Sequence, residues 1–201
     1  MPMAPQTVDF YYSLQSPWSY LGFARFRELA ARSGAAVRYR VIRMAPVFAA
    51  SGGLPLAQRP RQRQAYRLME LKRWRDHLHL PLNLHPRFFP TDERLAAGMV
   101  IAHGQQGGDV ARLSQAFLTA VWAEERDLAD PQTLQAIAGE QGADGAALMA
   151  AAERPDVLEQ YEADTRAAVD AGVFGVPSFV IGDELFWGQD RLDFVARALE
   201  S

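Results

Sequence analysis

Between Val8 and Met44 the chain runs through a short apolar strand, a helix and a second strand, and that order leaves few folds open. "VDFYY" (Val8–Tyr12) is β-branched and aromatic apart from Asp9, the composition of a buried strand. Ser16 then stands at an N-cap with Pro17 at the first helical position. The serine oxygen can take an orphan N–H, and proline has no N–H to leave unpaired. Leu21, Phe23, Phe26 and Leu29 keep helical spacing to about Ala31, where Ser33-Gly34 closes the helix. "AVRYRVIRM" (Ala36–Met44) alternates apolar residues with arginine, the period of a second strand. Strand, helix and strand form a βαβ unit, whose crossover is right-handed and whose strands run parallel.

From Ala45 to about Gly172 the pattern is helical. Arg61–His79 carries Leu68, Leu71, Trp74 and Leu78 at helical spacing and ends before Pro81. Thr91–Gly104 and Asp109–Trp122 pass the same test. Asp130 caps a helix with Pro131 at its first position and Gly142 as its stop. Ala143–Ala152 and Asp156–Ala171 follow, and Gly172 ends the series. The tail returns to sheet: "SFVIGDELFWG" reads as a hairpin turning at Gly182-Asp183, with a helix from Gln189 to Leu199 behind it. A βαβ unit followed at a distance by ββα is the thioredoxin pattern. The expected architecture is therefore α/β, a thioredoxin-like fold (βαβ…ββα) with a large all-helical insertion. Residues 6–45 and 173–201 make the thioredoxin-like part and 46–172 the insertion.

Composition matters chiefly through what is missing. The 201 residues include no cysteine, which excludes disulfides, thiolate metal sites and any redox cycle on protein sulfur. A net charge of −3 gives no global attraction to nucleic acid or membrane. No apolar stretch is long enough to span a bilayer, and "MPMAPQTVDFYY" has neither the basic nor the apolar region of a signal peptide. The expected location is cytoplasmic.

Three segments carry candidate chemistry. "SPWS" (Ser16–Ser19) looks like a thioredoxin Cys-x-x-Cys turn with hydroxyls in place of both sulfurs. Ser16 reads as a plain cap. It also reads as a donor to an anion, because unpaired N–H groups and the helix dipole favour negative charge at a helix start. They lower a thiol's pKa too, so a thiolate held there would have to arrive with a ligand. In "GVFGVPSF" (Gly172–Phe179), Val176-Pro177 precedes a strand. Either it is an ordinary trans turn, or it is the cis-proline that faces the helix start in thioredoxin-like folds. The second reading frees the Val176 backbone to pair with a peptide ligand. In "LFWGQDRLDF" (Leu185–Phe194), Asp190 is either a first-turn acid or a grip for an ammonium group beside free backbone amides.

Together "DFYYSLQSPWSYLG", "YRLMELKRWRDHLHLPLN" and "GVFGVPSFVIGDELFWGQDRL" resemble the 2-hydroxychromene-2-carboxylate isomerase family over nearly the whole chain. Those enzymes are glutathione-dependent relatives of the kappa-class glutathione transferases and of the DsbA-type thioredoxin fold. The resemblance implies that Ser16 lies beside the glutathione sulfur and that Val176, before Pro177, pairs with the cysteinyl unit. Trp187, Gly188, Gln189 and Asp190 match the segment that holds the γ-glutamyl end. Gln58 and Arg59 align with a pair implicated in substrate binding, and Phe88 falls at an aromatic substrate contact. There are departures: Gly53 stands where relatives carry asparagine, Arg63 replaces a lysine before Tyr66, and Glu70 replaces aspartate. Arg63 can serve as a carboxylate partner, planar and bidentate.

The implied activity is glutathione-dependent isomerisation of an aromatic 2-hydroxychromene-2-carboxylate-like acid to a trans-o-hydroxybenzylidenepyruvate type product, through a transient glutathione adduct. Arg59 and Arg63 are the candidate cations for the substrate carboxylate. A homodimer is the implied assembly. Two alternatives stand beside this reading: a kappa-like transferase that keeps the adduct, and a thioredoxin-fold binding module without catalysis. "RPRQRQAYRLMELKRWR" holds seven basic residues against one acid, but it reads as a solvated helix face rather than a nucleic-acid site. His77, His79 and His85 lack a metal-ligand spacing, so no metal is expected.

Overall fold

A computed structural model describes residues 6–200. Strand β1 (Thr7–Tyr12) lies inside a four-stranded sheet of order β2-β1-β3-β4, with β2 at Ala36–Val41, β3 at Ser178–Ile181 and β4 at Glu184–Trp187. β1 and β2 pair in parallel, Phe10 opposite Tyr39, as a βαβ unit requires. β3 runs antiparallel to β1, Phe10 opposite Phe179, and β4 pairs antiparallel with β3. The N-terminal and C-terminal segments thus build one sheet although more than a hundred residues separate them.

β2 ends three residues earlier than its alternation suggests. The reason is its partner: Tyr12 is the last residue of β1 and pairs with Val41, so the ladder runs out. The chain then turns directly into helix α2 (Met44–Ser51), too short to stand out from the helical middle by pattern. Helix α1 (Pro17–Ser33) has the expected start and stop. Ser16 Oγ accepts the Ser19 N–H at 3.2 Å, and Gly34 closes the helix in the left-handed region.

The helical middle holds α3 (Arg61–Leu78), α4 (Arg94–Gln105), α5 (Val110–Trp122), α6 (Pro131–Glu140), α7 (Gly145–Ala152) and α8 (Pro155–Asp170). Asp109, Asp130 and Asp144 accept first-turn amides of α5, α6 and α7. The single C-terminal helix expected from Gln189 needs correction. Gln189–Arg191 is a 3₁₀ turn, and α9 proper covers Leu192–Leu199.

The sheet is covered on both faces. On one, Phe10 stacks on Phe179 at 5.0 Å between ring centres and meets Phe26 of α1 at 4.6 Å. That cluster continues without a break through Leu71, Trp122, Leu134 and Val157 of the helical middle. On the other face Tyr11 and Ile42 pack with Val47, Ala168 and Val176. α8 is fastened there by ions as well. Arg40 bonds Asp9 of β1 at 2.6 Å and also bonds Asp164 of α8. Among the described residues no helix is long and apolar enough to cross a membrane.

Candidate functional site

The start of α1 is built to be held still. Ser13 Oγ donates to both carboxylate oxygens of Glu93, at 2.8 and 3.0 Å. The backbone N–H and the side-chain amide of Gln15 donate to the same carboxylate, each at 3.1 Å. Glu93 is buried, and burial raises its pKa above the ordinary carboxylate value against the opposing pull of these donors. A buried acid from the edge of α4 therefore ties down the loop that ends at Ser16. Ser16 itself is buried, and its Oγ, having accepted from Ser19, keeps a proton to donate.

Facing α1 is the loop before β3. The Val176-Pro177 peptide is cis, and among the described residues the Val176 N–H and C=O take no hydrogen-bond partner. Pro177 is buried; its carbonyl accepts the Gly188 N–H at 2.9 Å, joining this loop to the end of β4. Gly188 has φ 112°, a backbone conformation side chains rarely adopt, and it swings the chain into the 3₁₀ turn. α1 lies against that turn at Gly22, where an added Cβ would fall 2.7 Å from Gln189 Cβ.

Between these elements and α3 opens a cleft of about 540 Å³, within the usual range for small-molecule sites. Trp18, Val176 and the run Trp187–Arg191 form one wall. Arg59, Gln62, Arg63, Tyr66, Arg67, Glu70 and Trp74 form the other. Four arginines face two carboxylates here, and both carboxylates are taken: Glu70 by Arg73 at 2.5 Å and Asp190 by Arg191 at 2.7 Å. A cleft with surplus cations in a chain of net charge −3 attracts anions locally. Burial lowers the pKa of Arg59, helped by the neighbouring charge of Arg63. The same causes act on Arg67, burial first and then Arg59, and bring it down to about 10.

Of the residues singled out in the sequence, the fold brings Arg59, Arg63, Val176, Trp187, Gly188, Gln189 and Asp190 together around this cleft. Ser16 and Pro177 do not line it, although Trp18 and Val176, close to them in the chain, do. Gln189 is buried, and Arg25 Nη1 donates to its side-chain oxygen at 2.6 Å and to its backbone carbonyl at 3.3 Å. Gln58 is exposed at the end of a 3₁₀ turn (Leu56–Gln58), and Phe88 sits under Arg87 at 5.0 Å; neither lines the cleft. At Gly53 a Cβ would lie 2.4 Å from the Phe48 ring, so a side chain there needs Phe48 to move. Sequence reasoning missed Arg67, Trp18 and Trp74 as cleft residues. Their signal was present, because Arg59, Arg63 and Arg67 recur every four residues, but the run reads equally well as a solvated face.

Residues 7–200 match the family model of the DSBA-like thioredoxin domain. The chain is similar to 2-hydroxychromene-2-carboxylate isomerase of Sphingobium xenophagum, 32% identical over 195 residues that cover 94% of this chain and 96% of that protein. It is also similar to the enzyme of the same name from Pseudomonas putida, 32% identical with 96% and 93% covered. Glutathione S-transferase kappa 1 of Homo sapiens is 25% identical over 97% of this chain and 91% of its own length. Among solved structures, that of a 2-hydroxychromene-2-carboxylate isomerase matches with a TM-score of 0.80 at 29% identity, covering 96% of this chain and 94% of that one.

Proposed function

The chain belongs to the DSBA-like thioredoxin domain family and, within it, to the 2-hydroxychromene-2-carboxylate isomerases, and from that premise we propose that it is a glutathione-dependent isomerase of an aromatic 2-hydroxychromene-2-carboxylate-like acid. The observation that carries this reading is the pairing of a hydroxyl-capped helix start with an unpaired Val176 backbone, beside a cation-rich cleft, in a chain without cysteine.

Those features fit glutathione. An extended peptide can pair with the N–H and C=O of Val176 as an added strand. A terminal carboxylate suits Arg63, whose side chain has no hydrogen-bond partner among the described residues. An α-ammonium suits Asp190 Oδ1, the oxygen that Arg191 leaves without a hydrogen-bond partner among the described residues. When bound, glutathione supplies a thiolate that adds reversibly to the conjugated substrate and so lowers the barrier to rotation about a double bond.

The chain's own part is positional. Ser16 Oγ–H would donate to the sulfur and, with the Trp18 N–H, the first-turn amide left without a partner among the described residues, would keep it ionised. Glu93 holds Ser13 and Gln15 so that this donor stays in place. The arginines of the α3 wall would hold the anionic substrate, while Trp18 and Trp74 would supply apolar surface for an aromatic ring.

Incubation with catalytic glutathione and the cis acid tests the reading. The trans product should form with glutathione recovered intact. Stoichiometric formation of a stable conjugate would instead assign the chain to transferase chemistry, and absence of glutathione binding in calorimetry would refute both.

A further inference from the structure

Arg67 is a half-buried cation with nothing among the described residues to answer its charge. Its side chain makes no hydrogen bond or ion pair among the described residues, and its Nη2 is sealed from solvent without a partner. The guanidinium instead rests on two rings, 5.3 Å from the centre of Phe89 and 5.8 Å from that of Trp122. Those rings touch each other at 4.9 Å, and the Trp122 Nε1–H is also buried without an acceptor. Two donors meet one pair of rings, and neither can satisfy the other. An unanswered buried donor costs roughly 1–3 kcal/mol, and more when it is charged. The surroundings lack an acceptor, and Arg67 is the member of this cluster that lines the cleft.

The neighbouring arginines are placed differently. Arg59 donates its Nε to the Leu54 carbonyl at 2.8 Å, and Arg63 is exposed, where solvent screens its charge. The two cleft carboxylates are engaged by Arg73 and Arg191. An anion entering the cleft therefore gains most at Arg67, where little water competes.

We propose that Arg67 is the specificity-determining residue of the cleft, taking the carboxylate of a planar aromatic acid whose ring lies against the tryptophan-bearing walls. The assignment rests on the isomerase reading for its choice of substrate class. It sets this position apart from Arg59 and Arg63, which the sequence puts forward for the same task.

Calorimetry with trans-benzylidenepyruvate and its methyl ester tests it, alongside glutathione titrated separately. The wild type should prefer the acid over the ester, and Arg67→Met should lose that preference by about ten-fold or more. Glutathione affinity should stay within about two-fold, and Arg67→Lys should restore part of the preference because it returns charge without the planar fork. Equal binding of acid and ester by the wild type, an undiminished preference in Arg67→Met, or a parallel fall in glutathione affinity overturns the proposal. If Arg67→Met fails to fold by circular dichroism, Arg67→Lys decides: a reduced preference supports the assignment and an unchanged one overturns it. If acid preference depends on Arg67 while no isomerisation occurs with glutathione, the isomerase reading fails and Arg67 keeps its role.

Discussion

At Ser16 one oxygen accepts the Ser19 amide while its own proton stays available. The two roles separate on mutation. Ser16→Ala should lose most turnover and the glutathione thiolate absorbance, yet cost only about 0.5–2 kcal/mol of stability, the range for losing a cap. Retained turnover and thiolate absorbance would reduce Ser16 to a cap. Glu93 makes a second residue-scale test, through pH. Its folded pKa lies above the ordinary value of 4.5, so its contribution to stability is full below that pH and is lost as pH rises through the folded value. Glu93→Gln should therefore gain in denaturant midpoint on the wild type as pH climbs from 4.5 toward neutral. Parallel pH profiles of the two proteins would show that Glu93 does not carry this dependence. Ser16 was legible because capping is a local property of a few residues. Glu93 was not, since nothing near it in the chain announces that it will meet Ser13 and Gln15 eighty residues away.

Among the elements, α1 and the 3₁₀ turn at Gln189–Arg191 approach closely at Gly22. Gly22→Ala would bring a methyl to 2.7 Å from Gln189 Cβ, and one of the two elements must yield. The expected cost is about 1–3 kcal/mol, typical of overpacking. Glutathione affinity should fall with it, because Gly188–Asp190 forms a cleft wall. An unchanged melting temperature together with unchanged glutathione binding would show that the turn moves freely and does not shape the site. The first and last elements were legible from periodicity, and their ends less so. The end of β2 depends on where β1 stops, and the break between Arg191 and Leu192 depends on how the turn seats against α1.

Across the whole molecule, the apolar cluster under the sheet runs on into the helical middle, from Phe10 through Leu71 and Trp122 to Val157. A shared core couples the parts, so the thioredoxin-like part and the helical insertion should unfold together. Far-ultraviolet dichroism and tryptophan fluorescence should give one coincident transition. Two separated transitions would mean that the insertion is stable by itself. The cleft lies across the same division: α3 brings Arg63 and Arg67, while the cis-proline loop and the 3₁₀ turn after β4 bring Val176 and Asp190. An intact site thus requires both parts to be docked.

Sequence by itself determined what local chemistry can specify. Caps at Ser16 and Asp130, the hairpin turn at Gly182, the parallel first strands and the absence of a thiol all follow from short-range sterics and composition. Only the tertiary structure decided which of many arginines is stripped of water. Arg67 and Arg63 look alike in the chain, one turn apart on α3. One came to rest on Phe89 and Trp122 with no acceptor, the other in solvent. Desolvation is set by everything that packs around a group, and most of what surrounds Arg67 arrives from distant segments.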